Sequence, residues 1–209
     1  ALGAVAAKLK ATAPARIAAR VGDQADAESI FALKGLMASL GATNLECRQD
    51  GAFLPTASRG DYLFNTSIAG IEKADLCLIV GANPRWEAAL VNTRLRKRYM
   101  MGGFKVAAIG PKLDLTYPVE MLGDGPSTLA AIADGSHGFA EALKSAKAPM
   151  LILGMGALSR PDGAAVYALA RKVGDACARD GWNGFNVLHT AAARVAGLDL
   201  GFVPATQNP

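Results

Sequence analysis

The sequence predicts an α/β protein in which an open, mostly parallel β-sheet is flanked by helices on both faces. Strand-like and helix-like segments alternate along most of the 209 residues. Three short segments, 76–80, 105–110 and 149–154, are almost entirely apolar, as is typical of strands buried on both faces of a parallel sheet. Each ends at or beside a glycine, which permits the tight turn into a following helix. Helices between such strands would cover both faces, which gives a doubly wound arrangement.

The first 75 residues are predicted to contain three helices and two strands. Asp26 is a suitable N-cap for the second helix, and Gly41 is suited to end it. That helix carries an apolar stripe, formed by Ile30, Phe31, Leu33, Leu36, Met37 and Leu40. The predicted elements are a helix over 1–11, a strand over 15–22, a helix over 27–40, a strand over 43–47, a loop over 48–59 and a short helix over 66–74.

The remaining residues are predicted to alternate strand and helix without an internal repeat. Gly102 and Gly103 end the helix that follows the first strand, and Pro126 is suited to open a helix. The predicted elements are a strand over 76–80, a helix over 86–100, a strand over 105–110, an irregular connection over 111–129 that passes into a helix ending at 134, a helix over 139–146, a strand over 149–154, a helix over 162–178 and a final helix over 189–200.

Composition favours a folded globular region and excludes two classes of partner. Residues of the hydrophobic types make up 51% of the chain, enough for a substantial core. No apolar run approaches the roughly 20 residues of a membrane-spanning helix, so we expect no direct membrane insertion. The net charge is only +4, and the densest basic run, Arg94–Arg98, contains no aromatic residue on which a base could stack. We therefore expect no nucleic-acid partner.

The whole chain, 1–209, is predicted to be one α/β region or two small lobes with a junction near 110–125. Its first residue is alanine, and the Ala-rich opening has no signal-peptide pattern, so we expect a piece of a longer polypeptide. Cys47, Cys77 and Cys177 stand far apart, without the spacing of a zinc site or an iron–sulfur cluster. Scattered cysteines suit a reducing compartment, and Cys77 is expected to serve as a small hydrophobe within its strand.

The glycines at the strand ends allow two interpretations. Gly81, Gly110, Gly154 and Gly156 could bring backbone amides close to a phosphate-bearing ligand at the carboxyl edge of the sheet. Alternatively, they serve only the strand-to-helix connections. Asn83 would then be an N-cap, with Pro84 in the first helical position and Glu87 in the first turn. Spacing alone favours the second interpretation, because the glycine pattern after residue 153 is incomplete.

Other polar residues offer little chemistry. His137 follows Ser136 directly, but adjacent residues do not form a catalytic triad, and His189 is expected to begin a helix, so we expect surface or capping roles for both histidines. Asp114, Glu120 and Asp124 lack the spacing of a metal site. The sequence therefore predicts no catalytic residue and no metal ligand in this chain. The basic run at Arg94, Arg96, Lys97 and Arg98 is either a solvated helix face or a contact with an acidic partner.

Several motifs together closely resemble one family. They are "VGANPRWEA" at 80–88, "DLTY" at 114–117 followed by "LGD" at 122–124, and "LGMGAL" at 153–158 followed by "DGAA" at 162–165. The combination resembles the large iron–sulfur subunit of respiratory complex I, NADH-quinone oxidoreductase, over essentially the whole chain. More distantly, the strand, "GANP" and helix unit is similar to the molybdopterin oxidoreductases. The resemblance implies a Rossmann-like, molybdopterin-oxidoreductase-like fold.

The resemblance also implies a role without chemistry. In the family, iron–sulfur clusters are bound by cysteine motifs in the N-terminal part of the subunit, and this chain resembles the middle portion, which carries no cofactor and acts as a scaffold. Gly81, Asn83 and Pro84 match the loop that approaches the dinucleotide in true pterin enzymes. We hypothesise that Trp86 packs over that former ligand path; the alternative is a core aromatic on an amphipathic helix.

The family implies partners and a location. The partners would be other subunits of the peripheral arm, with Arg94, Arg96, Lys97 and Arg98 as candidate contacts. The location would be the cytoplasmic side of the bacterial inner membrane within a membrane-bound complex, or alternatively the matrix side in mitochondria. Two other functions stay open at this point: a catalytic fragment of a molybdopterin-dependent oxidoreductase, and a generic nucleotide-binding module.

Overall fold

The computed structural model describes residues 1–204, which form two compact units. The first unit contains residues 1–51 and the C-terminal segment from Ala191, and the second contains Ala52–Thr190. Segment 110–125, at which the sequence allows a lobe junction, lies inside the second unit.

Within residues 1–204 the chain forms ten α-helices and seven strands. The strands are β1 Ala18–Arg20, β2 Asn44–Glu46, β3 Leu76–Val80, β4 Lys105–Ile109, β5 Glu120–Gly123, β6 Pro149–Gly154 and β7 Phe185–Leu188. The helices are α1 Leu2–Lys10, α2 Ala27–Ser39, α3 Ser67–Gly70, α4 Pro84–Glu87, α5 Ala89–Met100, α6 Pro126–Asp134, α7 Phe139–Ser145, α8 Met155–Leu158, α9 Gly163–Ala176 and α10 Arg194–Asp199. None of these helices has both the length and the apolar character needed to cross a membrane.

The second unit is built on a five-stranded parallel sheet, in the order β5-β4-β3-β6-β7. Leu78 in β3 pairs with Ala107 of β4 on one side and with Leu151 of β6 on the other. Chain order runs outward in opposite directions from β3 and β6, so the switch point of the sheet lies between these two strands. The predicted fold class, an open parallel sheet flanked by helices, is confirmed.

Strand β3 forms the centre of the core because all five of its residues are buried. Cys77 and Ile79 belong to the cluster that contains Val91 and Leu95 of α5. Side chains alternate along a strand, so the other residues of β3 face the opposite side of the sheet. This explains why the sequence shows an uninterrupted apolar run there, since neither face of the central strand meets water.

The first unit contains a two-stranded parallel sheet, in which Ala19 of β1 is opposite Leu45 of β2. Helix α2 begins as predicted, because the Asp26 carboxylate accepts a hydrogen bond of 2.7 Å from the backbone NH of Ser29. The predicted apolar stripe of α2 is only partly buried. Within it, Ile30 and Met37, seven residues apart, are buried, whereas Phe31 and Leu36 are exposed. Because a two-stranded sheet is narrow, it buries only one narrow line of side chains along the helix.

Two strands were missed by the apolar pattern. Strand β5 lies within the predicted irregular connection, at the edge of the sheet, and its residues are exposed or half-buried. Strand β7 contains the fully buried Asn186, whose amide NH2 donates to the carbonyls of Leu151 and Gly184, both at 3.1 Å. A polar residue thus interrupts an otherwise apolar strand because its hydrogen bonds are satisfied inside the protein.

Two predicted helices have different bounds in the structure. The helix predicted over 86–100 is split at Ala88, whose backbone angles of φ −152° and ψ 70° are not helical. The helix predicted to begin at His189 begins instead at Arg194, because His189 directly follows β7 and continues the chain out of the sheet.

Candidate functional site

The carboxyl edge of the second unit's sheet contains a small cavity. It has a volume of about 90 Å³, and its wall includes Gly81, Gly110, Gly125, Gly156 and Arg160. This is the edge at which doubly wound sheets bind ligands, and β3 and β6 flank it at the switch point. The structure therefore places Gly81, Gly110 and Gly156 at this edge, as the sequence predicted.

Gly81 brings the chain after β3 into direct contact with the chain after β6. Its φ is +59°, and a Cβ added there would lie 2.5 Å from the Cβ of Ala157 and 2.7 Å from its backbone nitrogen. At Gly154 an added Cβ would lie 2.5 Å from the Cβ of Ala82, and at Gly156 it would lie 2.8 Å from the Gly81 carbonyl oxygen. These glycines are needed because two backbones touch across the switch point.

Two of the backbone amides at this edge already have acceptors within the sheet. The NH of Gly81 donates to the carbonyl of Ile109 at 3.2 Å, and the NH of Gly110 donates to the carbonyl of Gly123 at 2.9 Å. Both bonds continue the sheet ladder beyond its strands. A phosphate-binding loop needs amides that point outward without an internal partner, so these two amides cannot act as a cradle.

The cavity that this chain forms at the edge is small compared with a pterin dinucleotide. Pockets for ligands of drug size have volumes of roughly 300–1,000 Å³, and a dinucleotide is at the upper end of that range or beyond it. The cavity of about 90 Å³ is several times smaller. Within residues 1–204, moreover, no group of three or more His, Cys, Asp and Glu side chains is arranged to hold a metal ion.

Asn83 occupies the N-cap position of the following helix, as predicted, but its side chain makes no capping hydrogen bond. Its backbone NH instead donates to a carboxylate oxygen of Glu87 at 2.7 Å, and its carbonyl accepts from the NH groups of Trp86 and Glu87 at 3.0 and 2.9 Å. The Glu87 carboxylate thus accepts from the backbone NH of the N-cap residue, as the acidic residue of a capping box does. Pro84 occupies the first helical position, as predicted.

Trp86 neither packs over the cavity nor lies in the core. Its side chain is 78% exposed, and within the described chain Trp86 is not among the residues that line the cavity. The Arg85 guanidinium lies 5.6 Å from the centroid of the Trp86 ring and also pairs with Asp114. The backbone NH of Thr116 and the Arg85 guanidinium hold the pKa of Asp114 below its usual value. Asp114 thus fixes Arg85, and Trp86 is left facing outward.

The predicted partner contacts have different environments. Glu72 pairs with Arg94 and, at 2.9 Å, with Lys97, and these two cations lower the pKa of its carboxyl group. Arg98 donates to the carbonyls of Ala74 at 2.6 Å and Gly102 at 2.7 Å. The four cations therefore do not form one solvated helix face, because Arg94 and Arg98 are half-buried, whereas Arg96 and Lys97 are exposed.

The histidines have structural contacts. The Nδ1 atom of His137 accepts a hydrogen bond of 3.1 Å from the NH of Phe139 and so caps α7, as predicted. The Nε2 atom of His189 lies 2.6 Å from the Tyr62 carbonyl oxygen. This contact joins the end of β7 to the segment that precedes α3. Neither geometry resembles a nucleophile and its base.

The cysteines are buried thiols, as expected for Cys77. Burial raises the pKa of Cys47 to about 11 and that of Cys177 to about 12, and it raises the pKa of Cys77 as well. A protonated thiol is a poor nucleophile and a poor metal ligand. The three cysteines therefore serve packing, as the sequence predicted for the strand residue.

Two polar pairs near the edge were not predicted. Arg160, in the cavity wall, pairs with Asp162 through two bonds of 2.7 and 2.8 Å. The buried hydroxyl of Tyr117 donates to the side-chain carbonyl of Asn92 at 2.9 Å and joins the connection after β4 to α5. The "DLTY" motif carries this tyrosine, but its spacing did not indicate the partner, which lies 25 residues away.

Comparison with known proteins agrees with this architecture. A family model described as molybdopterin oxidoreductase matches residues 1–208. The chain is 45% identical over 204 residues to a subunit of the NADH-quinone oxidoreductase of Rickettsia bellii, which is 97% of this chain and 30% of that protein. It is 44% identical over 210 residues to the mitochondrial NADH dehydrogenase (ubiquinone) iron-sulfur protein 1 of Solanum tuberosum, which is 100% of this chain and 28% of that protein.

The chain belongs to the molybdopterin oxidoreductase family. Within it, the predicted resemblance to the large iron–sulfur subunit of complex I is confirmed by relatives in a bacterium and in a plant. The chain spans less than a third of the length of these relatives.

Proposed function

We propose that this chain is a non-catalytic structural and interaction region of the large iron–sulfur subunit of complex I. It would support electron transfer from NADH to quinone that takes place elsewhere in the assembly. The names of the relatives, which are subunits of NADH-quinone oxidoreductase and NADH dehydrogenase, support the assignment to that complex. The family's iron–sulfur clusters would lie in the N-terminal part of the subunit, and this region would hold no cofactor.

One observation supports the non-catalytic role: the chains after β3 and β6 touch each other at the switch point and leave only a small cavity there. Gly81 packs against Ala157, and the amides of Gly81 and Gly110 are occupied by carbonyls of the same sheet. The loop of Gly81, Asn83 and Pro84 would then be a vestige of a dinucleotide-binding loop. In this proposal the loop serves the contact between the chains after β3 and β6 and no longer a ligand.

The proposed partners are other subunits of the peripheral arm, in a membrane-bound complex. The region would lie on the cytoplasmic side of the bacterial inner membrane, or on the matrix side of the mitochondrial membrane. Among the basic residues of α5, Arg96 and Lys97 are exposed and are the better placed to contact a partner, whereas Arg94 and Arg98 contact Glu72, Ala74 and Gly102.

The experiment that tests this proposal is molybdenum and pterin analysis of the complex purified with the full-length subunit. We expect neither molybdenum nor oxidised-pterin fluorescence in stoichiometric amount, while the same preparation reduces quinone with NADH. The competing function, a catalytic molybdopterin oxidoreductase region, predicts one pterin for each complex. Stabilisation of the subunit by mononucleotides would instead favour a nucleotide-binding module; a ligand at 100 times its dissociation constant adds about 2.7 kcal/mol.

A further inference from the structure

The outer side of α5 combines apolar and basic residues without an acid. We call it the α5 stripe, and it consists of Leu90, Thr93, Arg96, Lys97, Met100 and the adjoining Met101. Leu90 is 76% exposed, and Met100 and Met101 are 68% and 63% exposed. A soluble surface rarely concentrates such side chains on one helix face unless a partner covers it.

The direction in which the α5 stripe faces is fixed by the opposite side of the helix. Val91 and Leu95 are buried against the sheet, and Asn92 is held by the Tyr117 hydroxyl. Arg98 anchors the end of the helix to the carbonyls of Ala74 and Gly102. The stripe cannot turn inward without breaking these contacts, so its apolar side chains stay on the surface of the second unit.

The α5 stripe carries positive charge that an acidic partner would complement. Helix α5 contains Arg94, Arg96, Lys97 and Arg98 but no Asp or Glu. Glu72 forms ion pairs with both Arg94 and Lys97. Arg96 is exposed, and along the helix it lies between the apolar ends of the stripe. A complementary surface would place a carboxylate opposite Arg96 and apolar side chains opposite Leu90 and Met100.

A protein surface fits these observations better than an anionic membrane. Membrane recognition by basic residues uses clusters of about 4–8 Lys or Arg, each contributing about 1 kcal/mol near the surface. In the α5 stripe, Arg96 is exposed and forms no ion pair within residues 1–204, and Lys97 is shared with Glu72. One or two cations give too little attraction to a membrane surface, whereas Met and Arg are enriched in protein interfaces.

We propose that the α5 stripe is the docking surface for an acidic, amphipathic helix of a neighbouring subunit. Leu90 and Met101 are eleven residues apart, which is about 16 Å along a helix, so two apolar anchors and a central carboxylate on one partner helix would match it. This inference rests on the proposed function, because it names the partner surface of an interaction region. Trp86, exposed just before α5, would lie at the rim of the interface.

Oxidative footprinting tests the surface directly. The full-length subunit and the assembled complex are treated with hydrogen peroxide, which converts exposed Met thioethers to sulfoxides. We expect Met100 and Met101 to be oxidised about tenfold more slowly in the complex than in the isolated subunit, because a covered thioether is reached only when the interface opens. Buried Met37 is the internal control and should be oxidised slowly in both samples. Equal oxidation of Met100 in both samples would overturn the proposal.

Two variants locate the energy of docking. Leu90→Ser removes an anchor and Arg96→Glu opposes the expected carboxylate, and each should lower the retention of the subunit in the complex by about tenfold. Lys147→Glu is the matched control, because Lys147 is exposed and lies outside α5, and it should retain the subunit normally. Normal retention of both α5 variants would contradict the inference. So would protection of Met100 in the isolated subunit by phosphatidylglycerol vesicles, which would identify a membrane instead.

Failure here and failure of the proposed function are distinguishable. A pterin-free, active complex in which Met100 stays fully reactive would remove the docking surface and leave the structural role intact. A pterin-containing complex would remove the structural role, whatever the reactivity of Met100.

Discussion

Gly81 shows how one residue type serves two opposite purposes. A glycine at the end of a buried strand can open a cradle for phosphate or can allow two backbones to touch, and the sequence is the same in both cases. Here the contact with Ala157 and the hydrogen bond to Ile109 decide for the second purpose. The sequence indicates that Gly81 lies in a turn after a strand. It does not indicate the contact with Ala157, because that residue is some 75 positions away and no local pattern predicts the contact.

Gly81→Ala should destabilise the chain more than Gly103→Ala does. Both glycines have positive φ, +59° and +64°, and left-handed backbone costs an alanine about 1–2 kcal/mol. At Gly103 an added Cβ has open space, whereas at Gly81 it overlaps Ala157, which adds about 1–3 kcal/mol for overpacking. Urea unfolding monitored by circular dichroism measures the difference. Equal losses of stability for the two variants would show that the edge is not tightly closed.

The buried thiols predict a loss of stability at alkaline pH. The ordinary pKa of a Cys thiol is 9.0, and burial raises those of Cys47 and Cys177 to about 11 and about 12. The folded state therefore keeps these protons while the unfolded state loses them, so the free energy of unfolding is unaffected below pH 9 and falls as the pH rises from 9 towards 12. Urea midpoints at pH 8 and pH 10 measure this fall. Rapid reaction of the native thiols with Ellman's reagent at pH 8 would contradict the burial.

Helix α5 shows what a sequence pattern can and cannot separate. The run Arg94–Arg98 indicates a charged helix face, but it does not indicate which cation is bound within the protein. The Arg98 guanidinium lies 5.2 Å from the centroid of the Phe104 ring and donates hydrogen bonds to the carbonyls of Ala74 and Gly102. Arg96, in contrast, is exposed to solvent. The difference depends on where the chain before β3 and the turn before β4 meet the helix, which is tertiary information.

Arg98→Gln and Arg96→Gln should therefore have different effects on stability. Arg98→Gln removes charge-assisted bonds to Ala74 and Gly102, and we expect a loss of about 2 kcal/mol. Arg96→Gln changes an exposed side chain and should alter stability by less than about 0.5 kcal/mol. Urea midpoints of the two variants, which lose the same charge, provide the comparison. A loss for Arg96→Gln equal to that for Arg98→Gln would refute these assignments.

At the scale of elements, burial determined which strands could be predicted. Strands β3, β4 and β6 lie in the middle of the sheet, so their sequences are apolar and were found. Strand β5 lies at one edge and is partly exposed, and β7 lies at the other and contains Asn186, so neither shows a continuous apolar run. The alternation of strand and helix predicts a parallel sheet, but it does not determine the order of the strands, which depends on how they pair in the folded chain.

At the scale of the whole molecule, the chain belongs to the molybdopterin oxidoreductase family, and in its second unit the chains after β3 and β6 close against each other at Gly81 and Ala157. The sequence predicted the class of fold and the relatives, because buried strands and motif combinations are local. It did not predict the closure, because that depends on how the chains after β3 and β6 meet. The division into two units at residues 51–52 and 190–191 likewise has no signal in composition.

We propose that this region contributes structure and contacts, and not chemistry, to its complex. The most direct measurement is quinone reduction by NADH in complexes assembled with Gly81→Ala, expressed per assembled complex, together with the amount of complex formed. The account predicts that the variant lowers the amount of complex, because the second unit is destabilised, while turnover per assembled complex stays at the wild-type value. A complex that assembles in normal amount but turns over more slowly would contradict the account, because the closed edge would then take part in the reaction.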